Sequence, residues 1–472
     1  ASNNTAVGLW ALRYNTTGGT NTAVGKDALL SNTTASQNTA LGKSALQTTT
    51  TGANNTAVGK DALLANTTGT RNVAVGANAL DANTTGTDNI AVGGANTLGA
   101  CTTGTTNIAI GNYALENVTT GASNVAIGYE TLEDNTASDN VGCGKAVLRK
   151  NTSGTFNTGL GGFALNKNTT ADNNTGIGYS ALRYNTTGAE NTAVGKEALD
   201  ANTTGGSNTS VGAFALQVNT TGSANVAVGR QALDANTTAS NNTALGYAAF
   251  LANTTATNGT AIGYSCLSAN TTGGFNTGVG YRVLISNTTG FDNTAIGADA
   301  GRDVSTGHNL TLLGHDAGRS SSPTGALTTE TDIVCLGDND VSALFCADTS
   351  ISSSDARDKT DVADFNIGLK WIEALRPVTY KWDRRTWYAT DTEPYGTPDG
   401  SKKRTKTHIG FLAQEALEVE KANGYGSSNE DSLVVNLTPD GMSYGMKYER
   451  LVPILVNAIK ELSVKVTALE AG

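Results

Sequence analysis

Hydrophobic residues in the first part of the chain come in short groups separated by a fixed interval. The stretch Asn21-Thr22-Ala23-Val24-Gly25-Lys26-Asp27-Ala28-Leu29-Leu30-Ser31-Asn32-Thr33-Thr34 displays the unit, roughly N-T-A-V-G-x-x-A-L-x-x-N-T-T-G-x-x. Its marker glycine recurs at Gly8, Gly25, Gly42, Gly59, Gly76 and Gly93, continues through Gly111, Gly128, Gly144 and Gly161, and then steps by 17 from Gly178 to Gly314, 19 glycines in all. One step is 18 residues (Gly93 to Gly111) and one is 16 (Gly128 to Gly144), so the phase is lost and then restored. Self-similarity at such a period is the signature of a stacked repeat.

A helix suits this unit poorly, because Asn, Thr and Gly are weak helix formers and fill about half of its positions. Short strands separated by Asn and Gly corners fit better, since those residues accept the positive φ that each corner needs. Within Thr22-Ala23-Val24 neighbouring side chains point to opposite faces. Both faces carry apolar residues, so one face is expected to fill the coil interior and the other to pack against a neighbouring chain. A Val, a Leu and two Ala per unit cannot offset the entropy of ordering a lone rung, so the rungs must stack. The recurring Asn-Thr-Thr at Asn15, Asn32, Asn66 and Asn83 matches the glycosylation acceptor pattern. It is read primarily as a stack of turn asparagines capping each corner.

Composition changes sharply beyond this region. All six prolines lie from Pro323 onward, together with both methionines and Trp371, Trp382 and Trp387, and charge concentrates after Asp355. The expected organisation is a repetitive β-solenoid shaft over 1–319, a connector over 320–353, and a third region over 354–472 that ends in a helix spanning 447–470. The fold class is mainly β, with a small α+β region at the carboxyl end.

Net charge is −10 with no basic stripe, which argues against nucleic acid as a partner. No apolar stretch is long enough to span a bilayer. The chain opens Ala-Ser-Asn-Asn-Thr with no charged-then-apolar leader, and is read as a processed product or fragment. Cys101, Cys143, Cys266, Cys335 and Cys346 have no ligand-like spacing, so neither a metal site nor a disulfide framework is expected. They are read as small apolar residues at core positions. No cofactor is expected.

Two resemblances sharpen this reading. Asn124-Val125-Ala126-Ile127-Gly128 and Asn107-Ile108-Ala109-Ile110-Gly111 resemble the head repeats of trimeric autotransporter adhesins of the YadA type, which implies a left-handed β-roll in a trimer with an adhesive role. The 17-residue period is longer than expected there. Ser354-Asp355-Ala356-Arg357-Asp358-Lys359, Ile372 to Trp382, His408 to Glu415 and Gly445 to Pro453 resemble, in this order, the intramolecular chaperone of phage endosialidases and tail spikes. That resemblance implies trimerisation, guided folding of the preceding fibre, and release by autoproteolysis between Ser353 and Ser354. It assigns Ser354 as nucleophile and Lys359 as its partner, with Asp355 and Arg357 holding the geometry and His408 as a possible assistant. A serine hydroxyl needs a base, and lysine serves only as the neutral amine, so burial would have to lower the Lys359 pKa. Ser354-Asp355 as a simple helix cap is the competing reading.

The tail follows a heptad pattern, with Val452, Ile459 and Val466 at one seam position and Leu455, Leu462 and Leu469 at the other. The expected function is a homotrimeric fibre of phage tail-fibre or tail-spike type, located on a virion or at a cell surface. It would attach to a host or cell-surface receptor, glycan included, and be at most a single-turnover peptidase. The alternatives are a bacterial surface adhesin and, further off, an ice- or glycan-binding solenoid. A polysaccharide-degrading spike needs a carboxylate-lined cleft, and the one non-repetitive stretch near Ser320–Thr331 is too short for it.

Overall fold

The computed structural model describes residues 2–94, 96–341, 362–388, 396–428, 430–437 and 443–471. They fall into two compact units, Ala1–Asn293 and Thr294–Gly472. The chain is mainly β: a parallel β-solenoid followed by a small α+β region with a terminal helix.

In the first unit each repeat is one layer. Strands of three residues run from Thr5–Val7 to Thr277–Val279 and pair in parallel, each with its counterpart one repeat on: Thr5 with Thr22, Ala6 with Ala23, Val7 with Val24. The 18- and 16-residue repeats leave this register intact, with Ile90 opposite Ile108 and Val125 opposite Val141. The extra residue is absorbed at the corner after Gly93, and the missing one at the shortened corner Asn135-Thr136-Ala137, both between strands. Register therefore survives because the strand, not the corner, carries the pairing.

The interior is a set of columns. The middle residue of each strand after the first points inward and is buried, and it is always small: Ala, Gly or Ser in this unit. The leucine column, Leu29, Leu46, Leu63 and onward, is fully buried although each member has a left-handed backbone, with φ of 50° at Leu29 and 54° at Leu63. That conformation costs roughly 1–2 kcal/mol per residue, and burying the side chain returns about 1.5–3 kcal/mol. Burial wins, and the coil can turn where no glycine is present. At Gly25 the constraint is space as well as angle: φ is +138° and a Cβ would lie 2.3 Å from the Gly42 carbonyl oxygen of the next layer.

Two columns of buried asparagine cross-link the layers. Asn38 N–H donates to Asn21 Oδ1 at 3.0 Å, and Asn38 Nδ2 donates to the Gly52 carbonyl at 2.9 Å. In the second column Asn32 Nδ2 donates to Asn15 Oδ1 at 2.7 Å, and Asn83 Nδ2 to Asn66 Oδ1 at 2.9 Å. The second column is the Asn-Thr-Thr set. Most of its members are buried with their amides committed inside the coil, which leaves no room for a sugar on them once folded. Orphan carbonyls mark where the column is interrupted. Asn32 Oδ1 and Asn83 Oδ1 have no hydrogen-bond partner, and the next layers carry Thr49 and Cys101 in place of asparagine.

In the second unit three strands, Thr294–Ile296, Thr311–Leu313 and Val334–Leu336, pair in parallel. The last lies within the 320–353 stretch expected to be a connector, so parallel stacking runs beyond position 319. The period there stretches to 23 residues, Asn309 Nδ2 meeting Asp332 Oδ1 at 2.7 Å, and this lengthening hid the layer from a 17-residue pattern.

Cys101, Cys266 and Cys335 are buried as expected; Cys143 is not. It directly follows the inward Gly142 in the strand Val141–Cys143, so strand alternation turns it outward. Cys346 lies outside the described residues. Burial pushes the Cys101 thiol up to about 11 and that of Cys266 to about 12.

Candidate functional site in the C-terminal region

Helix α1 (Leu369–Ala374) is followed by the strand Val378–Tyr380, which pairs antiparallel with His408–Gly410. Helix α2 (Ala413–Ala422) follows, then the antiparallel strands Val435–Leu437 and Tyr444–Met446, a 3-10 turn at Tyr448–Arg450, and helix α3 (Leu451–Glu470). Trp371, Leu375, Ala416, Val434, Val435, Leu451 and Ile454 form the core.

At the centre lies a carboxylate that sequence reasoning did not single out. Glu420 of α2 is fully buried. Its Oε2 accepts from Ser432 Oγ at 2.8 Å and Leu433 N–H at 3.1 Å, and its Oε1 from Val434 N–H at 2.6 Å and Val435 N–H at 3.0 Å. Three successive backbone donors and a hydroxyl thus satisfy one side chain and fix the approach of the strand Val435–Leu437 to α2. The signal was present: Glu420 shares a helix face with Ala413, Ala416 and Leu417, and an acid on an apolar face needs a partner.

The ring of His408 stacks on Tyr380 with centroids 5.6 Å apart and meets Trp382 edge-on at 6.3 Å. Arg384 lies over the other aromatic partner, its guanidinium 4.4 Å from the Trp382 ring. Arg376 forms a two-pronged pair with Glu415, and its hydrogen bonds hold the Glu415 carboxyl below its ordinary range. Gln414 lines a polar cavity with Trp382, Asp383 and Asn436.

Helix α3 has two apolar stripes. Leu451, Ile454 and Ala458 face the core. Asn457 Nδ2 donates to the Phe365 carbonyl and Leu369 N–H to Glu461 Oε2, which tie the start of the region to the helix. Close approach there requires Gly368, whose Cβ would sit 3.1 Å from the Ala458 backbone nitrogen. The other stripe is the heptad seam, and it is uncovered: Val452, Leu455, Ile459, Leu462, Val466 and Leu469 are between 42% and 82% exposed. The helix begins at Leu451, after the 3-10 turn, rather than at 447.

Ser353, Ser354, Asp355, Arg357 and Lys359 lie outside the described residues, so no geometry links them to His408. Among the described residues no group of His, Cys, Asp or Glu is arranged to hold a metal ion. No helix among them is long and apolar enough to cross a membrane.

Residues 354–425 match the family model described as chaperone of endosialidase. The match begins at Ser354 and takes in α1, both strands of the first antiparallel pair, and α2 with Glu420. A β-solenoid shaft is thus joined to a region of chaperone type. No curated protein and no solved structure matches the chain.

Proposed function

We propose that this chain is a homotrimeric attachment fibre of phage tail-fibre or tail-spike type. Its carboxyl-terminal region assembles three copies, aligns them for folding, and then cuts itself away between Ser353 and Ser354. The observation that carries this reading is the chaperone-of-endosialidase match, which opens at Ser354, on the carboxyl-terminal side of a stacked-repeat shaft.

The physical need is plain in the repeat. Successive layers are nearly equivalent, so chains pairing side by side could slip by a whole layer with most contacts kept. Alignment at one end removes that ambiguity. The uncovered seam of α3 supplies an apolar stripe for it, six residues at heptad spacing. In the cut, the Ser354 hydroxyl attacks the Ser353 carbonyl carbon while the neutral Lys359 amine takes its proton; the peptide C–N bond then breaks and the amine leaves protonated. Asp355 and Arg357 hold the segment, and water releases the acyl group.

A denaturing gel of wild type beside Ser354→Ala tests the cut. Two fragments from wild type and one intact chain from the variant are expected; two fragments from both would remove Ser354 from the mechanism. A bacterial surface adhesin carrying the same chaperone is the second reading, favoured by the N-V-A-I-G form of the repeat at Asn124–Gly128.

A further inference from the structure

Two columns of side chains point outward from the strands of the first unit, on either side of the buried middle residue. The first column is β-branched in every layer from Thr5 to Thr277: Thr, Val or Ile. The second is Val, Leu or Ile throughout, apart from Cys143. Neither column contains a charge. Between Val73–Val75 and Val141–Cys143 both are apolar in all five strands. Most members are half-buried within the single chain, and others are exposed, with Leu41 and Leu160 each 47% exposed.

At about 4.8 Å per layer this strip runs roughly 80 Å along the first unit. Two columns wide, it offers on the order of 800 Å² per chain, which is the share a stable interface takes from each partner. Apolar patches of that extent mark interaction sites. β-branched side chains also have little rotamer freedom to lose on being covered.

The periodicity says what covers it. A ligand of ordinary size meets only a few layers, whereas this strip keeps the same chemistry in every layer. A partner matching it along its whole length must repeat at the same layer spacing, and a second copy of this repeat does so. We propose that the outward T-x-V strand face is where copies of the shaft pack against one another, with the Val73–Cys143 stretch as its most apolar segment. The inference rests on the trimeric fibre reading and adds to it which face is turned to the neighbour.

Cys143 is a built-in reporter, because it stands in the outward column while Cys101, Cys266 and Cys335 are buried within the coil. The test measures maleimide labelling of Cys143 in the native full-length chain, with the labelled peptide identified by mass spectrometry. The reference is a cysteine placed at Thr103, exposed at an Asn-Thr-Thr-type corner. Labelling of Cys143 at least about tenfold slower than at Thr103→Cys is expected, since it requires opening of the contact. Ile127→Glu, opposite Cys143 in the neighbouring layer, should restore fast labelling. Light scattering on the same samples separates the two readings. Three chains per particle with Cys143 labelled as fast as the reference would overturn the face and leave the fibre. One chain per particle would overturn both. Slow labelling that persists in Ile127→Glu would mean shielding by the chain itself, and would also overturn the face.

Discussion

The ring of Phe250 occupies the space that a side chain at Gly259 would need: a Cβ there would lie 2.6 Å from the Phe250 Cζ. Both residues depart from the repeat. Phe250 stands in the leucine column and Gly259 in the first asparagine column, between Asn242 and Asn276. The larger ring was accommodated by losing an amide, while Gly259 N–H still donates to Asn242 Oδ1 at 2.9 Å.

This pair predicts strong non-additivity. Gly259→Asn alone should destabilise the shaft by overpacking, by about 1–3 kcal/mol. Phe250→Leu alone should cost about 1 kcal/mol or more through the cavity it leaves. The double variant restores the repeat and should be close to wild type, giving a coupling energy of opposite sign to the single losses. Thermal unfolding of the three variants checks this; additive losses would mean that the two sites do not share space.

Mending the interrupted asparagine column should stabilise it. Thr49→Asn places a donor opposite the orphan Oδ1 of Asn32, a gain of about 1 kcal/mol from one buried hydrogen bond. A raised melting temperature is expected, and an unchanged or lowered one would show that the Thr49 layer has no room for the amide.

These two sites show how far the sequence could be read. Glycine spacing made the 17-residue layer legible, and the heptads made the α3 seam legible, because both are periodic. The Asn-Thr-Thr asparagines were legible as corner residues. The first asparagine column, Asn21 to Asn38 and onward, was not, since nothing in N-T-A-V says that Asn points inward. Compensation between Phe250 and Gly259, nine positions apart, depends on where the coil brings them and could not be seen. The layer at Val334–Leu336 was hidden by its inserted residues, and the outward Cys143 by treating all cysteines alike. Glu420 shows the converse: its helix position was readable, but its donors come from Ser432 to Val435, beyond the next loop.

Glu420→Ala should destabilise the C-terminal region by about 3 kcal/mol, since it leaves two buried backbone donors and one half-buried donor without their acceptor. Glu420→Gln keeps the shape and one acceptor, so it should cost less. Urea unfolding followed by tryptophan fluorescence, to which Trp371, Trp382 and Trp387 of this region contribute, distinguishes them; equal stability of all three proteins would contradict the role given to the carboxylate.

Two carboxylates should respond to pH in opposite senses. Hydrogen bonds from Ser427 and Ser428 hold the Asp431 carboxyl down at about 2. Its folded value lies below the ordinary value of about 4, so its stabilisation is complete above that pH and is lost as pH falls through about 2. Burial instead raises Asp200 to about 6. Its charged form is the disfavoured one, so the shaft should gain stability as pH falls from above 6 toward about 4. Asp431→Asn should therefore lower stability at pH 7, and Asp200→Asn raise it, with the Asp200→Asn difference shrinking at pH 4. Melting curves at the two pH values decide; matching signs for both variants would refute the assignment.

The proposed function requires copies of the chain to assemble from the carboxyl end. Light scattering of the uncut Ser354→Ala protein measures this directly. The predicted result is three times 48.1 kDa per particle. A folded, stable particle with the mass of a single chain would contradict it.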